Sequence, residues 1–360
     1  MGDRAVISID GMGGDHAPGI VVDGLEAFAK ARPEFDFLLH GDEAKLKALL
    51  ANCPSAAPRT TIRNAEKPAI TMETKPAEAV RRGKGSSMWN AIEAVKKGEA
   101  VAAVSAGNTG ALMAMSKLIL RTMEGVHRPA LVGTWPNMKG VSAVLDLGAD
   151  IVADAEQLVE FAIMGQAFAR AVHHKPNPTI GLLNIGAEDL KGHEEIREAA
   201  ALIRNSKLDM KFHGFVEGND ISAGVADVVV TDGFTGNVAL KTAEGMAKMI
   251  SQMLRTALTS GLTSKIGAAI AMPALKKFQS GLDPRNSNGA VFLGLNGIVV
   301  KSHGGTDGYG FSMAITVAAD MGSSRFKAEL TEQLVKLAAA QAAAASTEQA
   351  GAGASEETAK

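Results

Sequence analysis

The chain has 360 residues, 46% of them hydrophobic and 21% charged, with a formal net charge of -2; these values fit a globular protein rather than a disordered or fibrous one. Aromatic residues make up only 4%, which speaks against a base-stacking nucleic-acid platform, and the balanced charge suggests no nucleic-acid partner. Cys53 is the only cysteine, so an intramolecular disulfide and Cys-rich zinc sites are excluded, and no stretch reaches the roughly 18 apolar residues of a spanning helix.

"AVISID" (5–10) is a short apolar run and reads as a strand, entered with no apolar leader, so a cytoplasmic location is expected. "GMGGDHAPG" (11–19) is a glycine-rich turn, and Pro18 suits the first turn of the helical pattern at 20–31. "FDFLLHG" (35–41) follows as a second strand, completing a βαβ unit. Further strands are expected at 60–65, 99–106, 130–135, 141–148, 179–186, 210–216 and 226–233, most of them separated by helical patterns such as 155–172. A single long strand is expected at 289–300. Strands alternating with helices imply a largely parallel sheet covered on both faces, with ligands bound beyond the carboxyl ends of the strands.

From 244 to 279 the pattern changes. Met246, Met249, Ile250, Met253, Leu254, Ala257 and Leu258 share one helical face, Gly261 is placed to end that helix, and a second apolar stretch reaches Pro273. Such a segment packs on its own domain, crosses a dimer interface, or forms an arm that touches a membrane surface or an acyl chain. A helical segment is expected at 325–345, with 339–360 as a helix end and a disordered, low-complexity tail. Residues 1–338 then form one domain that carries the arm.

Five polar loops fall at strand ends. In "SAGNTGA" (105–111) a strand ends at Ser105 and a helix is expected near Ala111; Gly107 and Gly110 allow close backbone approach, while Asn108 and Thr109 add donors. "TDGFTGN" (231–237) has the same build, with Asp232, Thr235, Gly236 and Asn237 ahead of a helix expected near Val238. Both suit an anion, or a carbonyl oxygen that gains charge during reaction. "KSHGGTDGYGF" (301–311) offers His303, Gly304 and Gly305; "DGMGGDH" (10–16) offers Asp10, Gly13, Gly14, Asp15 and His16; "LLNIGAEDLKGHEE" (182–195) offers Asn184, Lys191 and His193. No complete dinucleotide fingerprint, Walker loop, nucleophile elbow or zinc motif is present, so no metal and no cofactor is expected. An anion-binding α/β enzyme without a nucleophile of its own needs the bound anion to attack, as phosphate attacks an acyl carbonyl.

Taken together, "IDGMGGDHAP" (9–18), "VSAGNTGALMA" (104–114), "HRPAL" (127–131), "LLNIGAEDLKG" (182–192), "ADVVVTDGFTGNVALKTAEG" (226–245) and "VKSHGGTDGYGF" (300–311) resemble the bacterial phosphate acyltransferase family. The pattern differs from the family's at Gly11, at Asp150 with Val152 and Ala153, and at Asn219. The resemblance implies a Rossmann-like α/β/α sandwich related to the phosphotransacetylase and isocitrate dehydrogenase-like fold, with a protruding helical arm. It implies transfer of a long-chain fatty acyl group from acyl carrier protein to inorganic phosphate, giving acyl phosphate for a membrane glycerol-3-phosphate acyltransferase. It also implies a homodimer and peripheral contact with the inner face of the cell membrane. Lys191 and Asn237 become candidate catalytic or phosphate-orienting residues, with Asn108, Thr109, Thr235 and His303 lining the same pocket; His303 completes the candidate catalytic set. Rival readings are a phosphotransacetylase acting on short acyl-CoA, a nicotinamide-dependent decarboxylating dehydrogenase, and a scaffold that recruits carrier protein.

Overall fold

The computed structural model describes residues 4–206, 208–281 and 283–339, with side chains left out over 277–281. The expected tail lies, from residue 340 on, outside the described residues. The chain begins β1 (Ala5–Asp10), α1 (Gly19–Ala31), β2 (Phe35–Gly41), α2 (Glu43–Leu50), β3 (Thr60–Asn64), α3 (Pro76–Arg82), α4 (Ser87–Lys96), β4 (Ala102–Ser105) and α5 (Thr109–Leu120). It continues through β5 (Ala130–Asn137), β6 (Gly140–Leu145), α6 (Ala155–Val172), β7 (Thr179–Leu183), α7 (Glu194–Asn205), β8 (Lys211–Val216), α8 (Gly218–Ala223) and β9 (Val228–Val230). Then come α9 (Gly233–Thr259), α10 (Leu262–Gly281), β10 (Ala290–Leu293), β11 (Ile298–Lys301), α11 (Gly308–Ser323) and α12 over 326–339.

The strands form one sheet in the order β3-β2-β1-β4-β11-β10-β5-β6-β9-β7-β8. The expected strands are present, most of them shorter than expected. The single strand expected at 289–300 is instead two, β10 and β11, paired antiparallel. Gly294, at φ +84°, turns the chain between them, a conformation open to glycine at little cost. Periodicity alone could not see this break, because apolar residues continue on both sides of it.

Alternation within strands fills two layers. Val228 and Val230 of β9 join a core with α1, α6, α7, α11 and α12, whereas Val229 joins a second core with α3, α4, α5 and α8. That is an α/β/α sandwich, as expected. Helix α6 shows how the sequence reaches it. Asp154 accepts from Gln157 N at 2.8 Å, and the Gln157 side chain returns the bond at 3.0 Å, a capping box that fixes the start. Beyond it the helix is buried almost all round, including Phe161 and Phe168, each worth about 1.5–3 kcal/mol of burial.

Strand direction decides where the functional loops go. β4 and β11 are parallel, β10 is antiparallel to both β11 and β5, and β6 is antiparallel to β5. β6, β9, β7 and β8 are mutually parallel. The carboxyl ends of β1, β4 and β11 therefore lie at one end of the sheet, and those of β6, β9 and β7 at the other.

Helices α9, 27 residues long, and α10, 20 residues long, form the arm. Gly233 and Gly236 are the buried residues of α9, and the apolar face is left open: Ile250 is 54% exposed, Met253 64% and Ile270 78%. The face is not packed on its own domain. No helix among the described residues is long and apolar enough to cross a membrane.

Candidate active site

At the first end of the sheet, the loops after β1, β4 and β11 are knitted together. Ser105 Oγ donates to Asp10 Oδ2 at 2.7 Å and accepts from Gly107 N at 3.0 Å. Asp15 N donates to Gly304 O at 3.0 Å, and Ser302 N to Ser105 O at 2.9 Å. Glycine is required at Gly13, where a Cβ would stand 2.4 Å from Asp10 Oδ2 and 2.8 Å from Gly107 N. A Cβ at Gly14, where φ is +108°, would stand 3.0 Å from Ala106 Cβ, and one at Gly304 would stand 2.9 Å from Met72 Cε. Asp10 is fully buried, and burial pushes its carboxyl up despite the bonds it accepts.

Helix α5 begins at this end, and Asn108 caps it by accepting from Ala111 N at 3.0 Å. The Asn108 amide donates to the carbonyls of Met72 and Thr74 at 2.6 and 3.1 Å, so it tethers that segment. Thr109 is exposed at the helix start and Gly110 packs on Pro76. His303 is exposed; its backbone N–H donates to Asn288 Oδ1 at 2.9 Å, and its Nδ1 accepts from Gly305 N at 3.2 Å. In the neutral ring that bond assigns the proton to Nε2, which is left to donate.

At the second end, the loop after β6 is wound on Asp146, which is buried. Its two carboxylate oxygens accept from the N–H groups of Leu131, Gly148, Ala149 and Asp150 at 2.8–3.1 Å. Helix α9 starts beside it, at Gly233 rather than near Val238. Asp232 is the cap, accepting from Thr235 N at 2.9 Å and Thr235 Oγ1 at 2.7 Å. Asn237 thus lies within the helix, and its Nδ2 donates to Leu147 O at 3.2 Å. Gly233 and Gly236 let α9 come close: a Cβ there would fall 1.8 Å from Asp150 O and 1.9 Å from Asp146 O. Asn184, buried at the end of β7, donates to Lys191 O at 3.0 Å and accepts from Ile185 N at 2.9 Å, closing the loop that carries Lys191. The Lys191 ammonium is half exposed and pairs with Glu188 at 2.9 Å, a contact that raises its pKa.

The structure brings Asp10, Gly13, Gly14, Ser105, Gly107, Asn108, Thr109, Gly110, His303, Gly304 and Gly305 to one end, and Asn184, Lys191, Asp232, Thr235, Gly236 and Asn237 to the other. No hydrogen bond or ion pair joins the two sets among the described residues. The pocket expected to hold Asn108, Thr109, Thr235 and His303 together is therefore divided between them, because the sheet reverses direction in its middle.

Sequence reasoning passed over three features of these clusters. Lys301, the last residue of β11, is 8% exposed, and its Nζ donates to Ala106 O at 3.4 Å and to Ser302 O. Burial pushes its pKa down to about 8. Asp146 hides at the end of an apolar run, where the only hint is the Asp-Leu-Gly sequence. The third is the His127-Arg128 pair just before β5. His127 Nδ1 meets buried Glu160 at 2.5 Å, which raises the His127 pKa, and Arg128 pairs with Asp150.

Comparison with known proteins agrees with this architecture. Residues 5–329 match the family described as "Fatty acid synthesis protein". The phosphate acyltransferase of Caulobacter vibrioides is 59% identical over 343 residues, covering 95% of each chain. That of Phenylobacterium zucineum is 52% identical over 345 residues, covering 96% of this chain and 98% of its own. Among solved structures, a phosphotransacetylase from Streptococcus pyogenes superposes with a TM-score of 0.60 at 19% identity, over 89% of this chain and 95% of that one. The EutD phosphotransacetylase from Staphylococcus aureus gives 0.57 at 16%, over 89% and 94%. The last two likenesses establish the fold.

Proposed function

The chain belongs to the phosphate acyltransferase family, and from that membership we propose that it moves a long-chain fatty acyl group from acyl carrier protein to inorganic phosphate. A phosphate oxygen attacks the thioester carbonyl, the carbon–sulfur bond breaks, and acyl phosphate and the carrier thiol leave. The acyl phosphate then serves phosphatidic acid synthesis through a membrane glycerol-3-phosphate acyltransferase.

The observation that carries this reading is the state of the side chains that could otherwise form an acyl-enzyme. Ser105 is buried, with its hydroxyl held by Asp10 and Gly107. Cys53 is buried beside Leu49 O, and burial pushes its thiol up, away from the thiolate that attack requires. Two glycine-rich loop clusters lie at helix starts, the kind of place that favours an anion. Lys191 and Asn237 orient substrate at the second cluster, and His303 presents Nε2–H at the first. For both clusters to act on one thioester, a second copy of the chain must supply one of them, which a homodimer would do.

The open apolar face of the arm supports peripheral contact with the membrane. Lys248, Arg255, Lys265 and Lys276 are exposed along it and suit an acidic carrier protein.

The deciding experiment measures carrier-protein release from palmitoyl-acyl carrier protein with and without inorganic phosphate, beside a palmitoyl-CoA control, and traps the product as hydroxamate. Phosphate-dependent release with a trapped acyl group is expected. Release that ignores phosphate would sink the reading.

A further inference from the structure

We propose that Lys301 is the counter-charge of an inorganic phosphate site built by the loops after β1, β4 and β11; this rests on the reading above and says where its phosphate is held. Three loops converge on one backbone group, the Ala106 carbonyl. Lys301 Nζ donates to it at 3.4 Å, while the positions of Gly14 and Gly304 are close enough that a Cβ on either would lie 3.6 or 3.5 Å from the same oxygen. The ammonium therefore lies where these loops meet, beside half-buried Gly14 and buried Gly304, with the Met72 methyl 2.9 Å from where a Gly304 Cβ would stand. Gly107, whose backbone N–H donates to Ser105 Oγ, and the Asn108-capped start of α5 follow Ala106 directly in the chain.

What is unusual is the ammonium's company. A lysine buried this deeply normally has a carboxylate at ion-pair distance. Among the described residues, Lys301 has none, and its ammonium donates to the carbonyl oxygens of Ala106 and Ser302. The charged groups that act on it are Asp15, which is exposed, and Asp10, whose carboxyl is engaged by Ser105 and Met12. Of the other elements packed on β11, β4 and β10 carry no charged side chain. Helix α5 carries Lys117 in its last turn, and α11 carries Asp320, which is paired with Arg32. A cation held half-compensated under glycine-rich backbone is complementary to a small dianion that would complete its charge balance.

An anion bound there would favour the charged amine. Phosphate affinity should then weaken as pH rises through the Lys301 value of about 8, and phosphate should in turn raise that value.

The test titrates inorganic phosphate into the full-length protein calorimetrically, at one pH below and one above about 8. Across that interval phosphate only becomes more fully dianionic, so its own ionisation cannot imitate the expected weakening. The wild type should lose at least about tenfold in affinity across the interval. Lys301→Met, checked for folding by circular dichroism, should bind weakly at both and show no pH step. A flat wild-type profile overturns the proposal whatever the variant does. So does a variant that matches wild-type affinity, which would make Lys301 only a brace for two carbonyls; acyl phosphate production would then still stand. Absence of phosphate binding together with phosphate-independent acyl release would instead remove the reading on which the proposal rests.

Discussion

Lys301 also carries a consequence for stability that is separate from any ligand. Its ammonium is protonated in the folded chain below about pH 8 and in the unfolded chain up to its ordinary value of 10.5. The cost of burying the charge is therefore fully present below about 8 and fades as pH rises toward 10.5. Lys301→Met should accordingly stabilise the protein at neutral pH by about 1–3 kcal/mol in urea unfolding, and the gain should shrink in alkaline buffer. His127 behaves with the opposite sign. Glu160 raises its pKa, so their pairing contributes below the ordinary histidine value and is lost as pH rises through the raised one. The melting temperature of His127→Asn should fall furthest below wild type in mildly acidic buffer and approach it in alkaline buffer. Neither residue could be picked out from the sequence for these roles. A lysine ending an apolar strand usually carries its charge into water, and the partner of His127 lies 33 positions away. By contrast, the glycine-rich loops holding Asp10, Ser105 and Asn237 were visible, because strand-to-helix turns full of Gly, Asn and Thr have few other uses in a buried sheet.

At the level of elements, the start of α9 shows where local reading goes astray. "GFTG" looks like turn, and the helix was expected near Val238, yet it begins at Gly233. The glycines are there for contact rather than for a turn: each faces a backbone carbonyl of the loop after β6. Gly233→Ala should therefore cost about 3 kcal/mol or more, or push that loop aside, with loss of acyl transfer as the readout. Gly245, on the same helix, has open space where a Cβ would go. Gly245→Ala should raise stability by about 0.5–1 kcal/mol in urea unfolding and leave transfer intact, since it only restores helix propensity. If both substitutions behaved alike, the packing argument would be wrong. Helix α6, with its capping box and long apolar pattern, was legible over its full span, 155–172.

Across the whole molecule, alternating strands and helices announced the sandwich, but not the reversal of the sheet. That reversal depends on three antiparallel pairs at its centre, β11–β10, β10–β5 and β5–β6, and chain order does not reveal that β10 becomes the neighbour of β5. It is why one expected pocket became two clusters. The arm, legible as an amphipathic stretch, leads to a prediction of the same scale. Met253→Asp with Ile270→Asp should reduce sedimentation with anionic lipid vesicles by about tenfold or more while leaving transfer to phosphate in solution near wild type. Unchanged sedimentation would turn attention to a second copy of the chain as what covers that face. Helix α9 belongs to both regions at once: it runs unbroken for about 40 Å, from the loop at Asp146 to the arm's tip, with no proline along it. A rod of that length cannot be seated at its tip without its roll and pitch being set at the root, where the Asn237 amide meets Leu147. Whatever grips the arm thereby also aims that amide, as a handle aims the blade fixed to it.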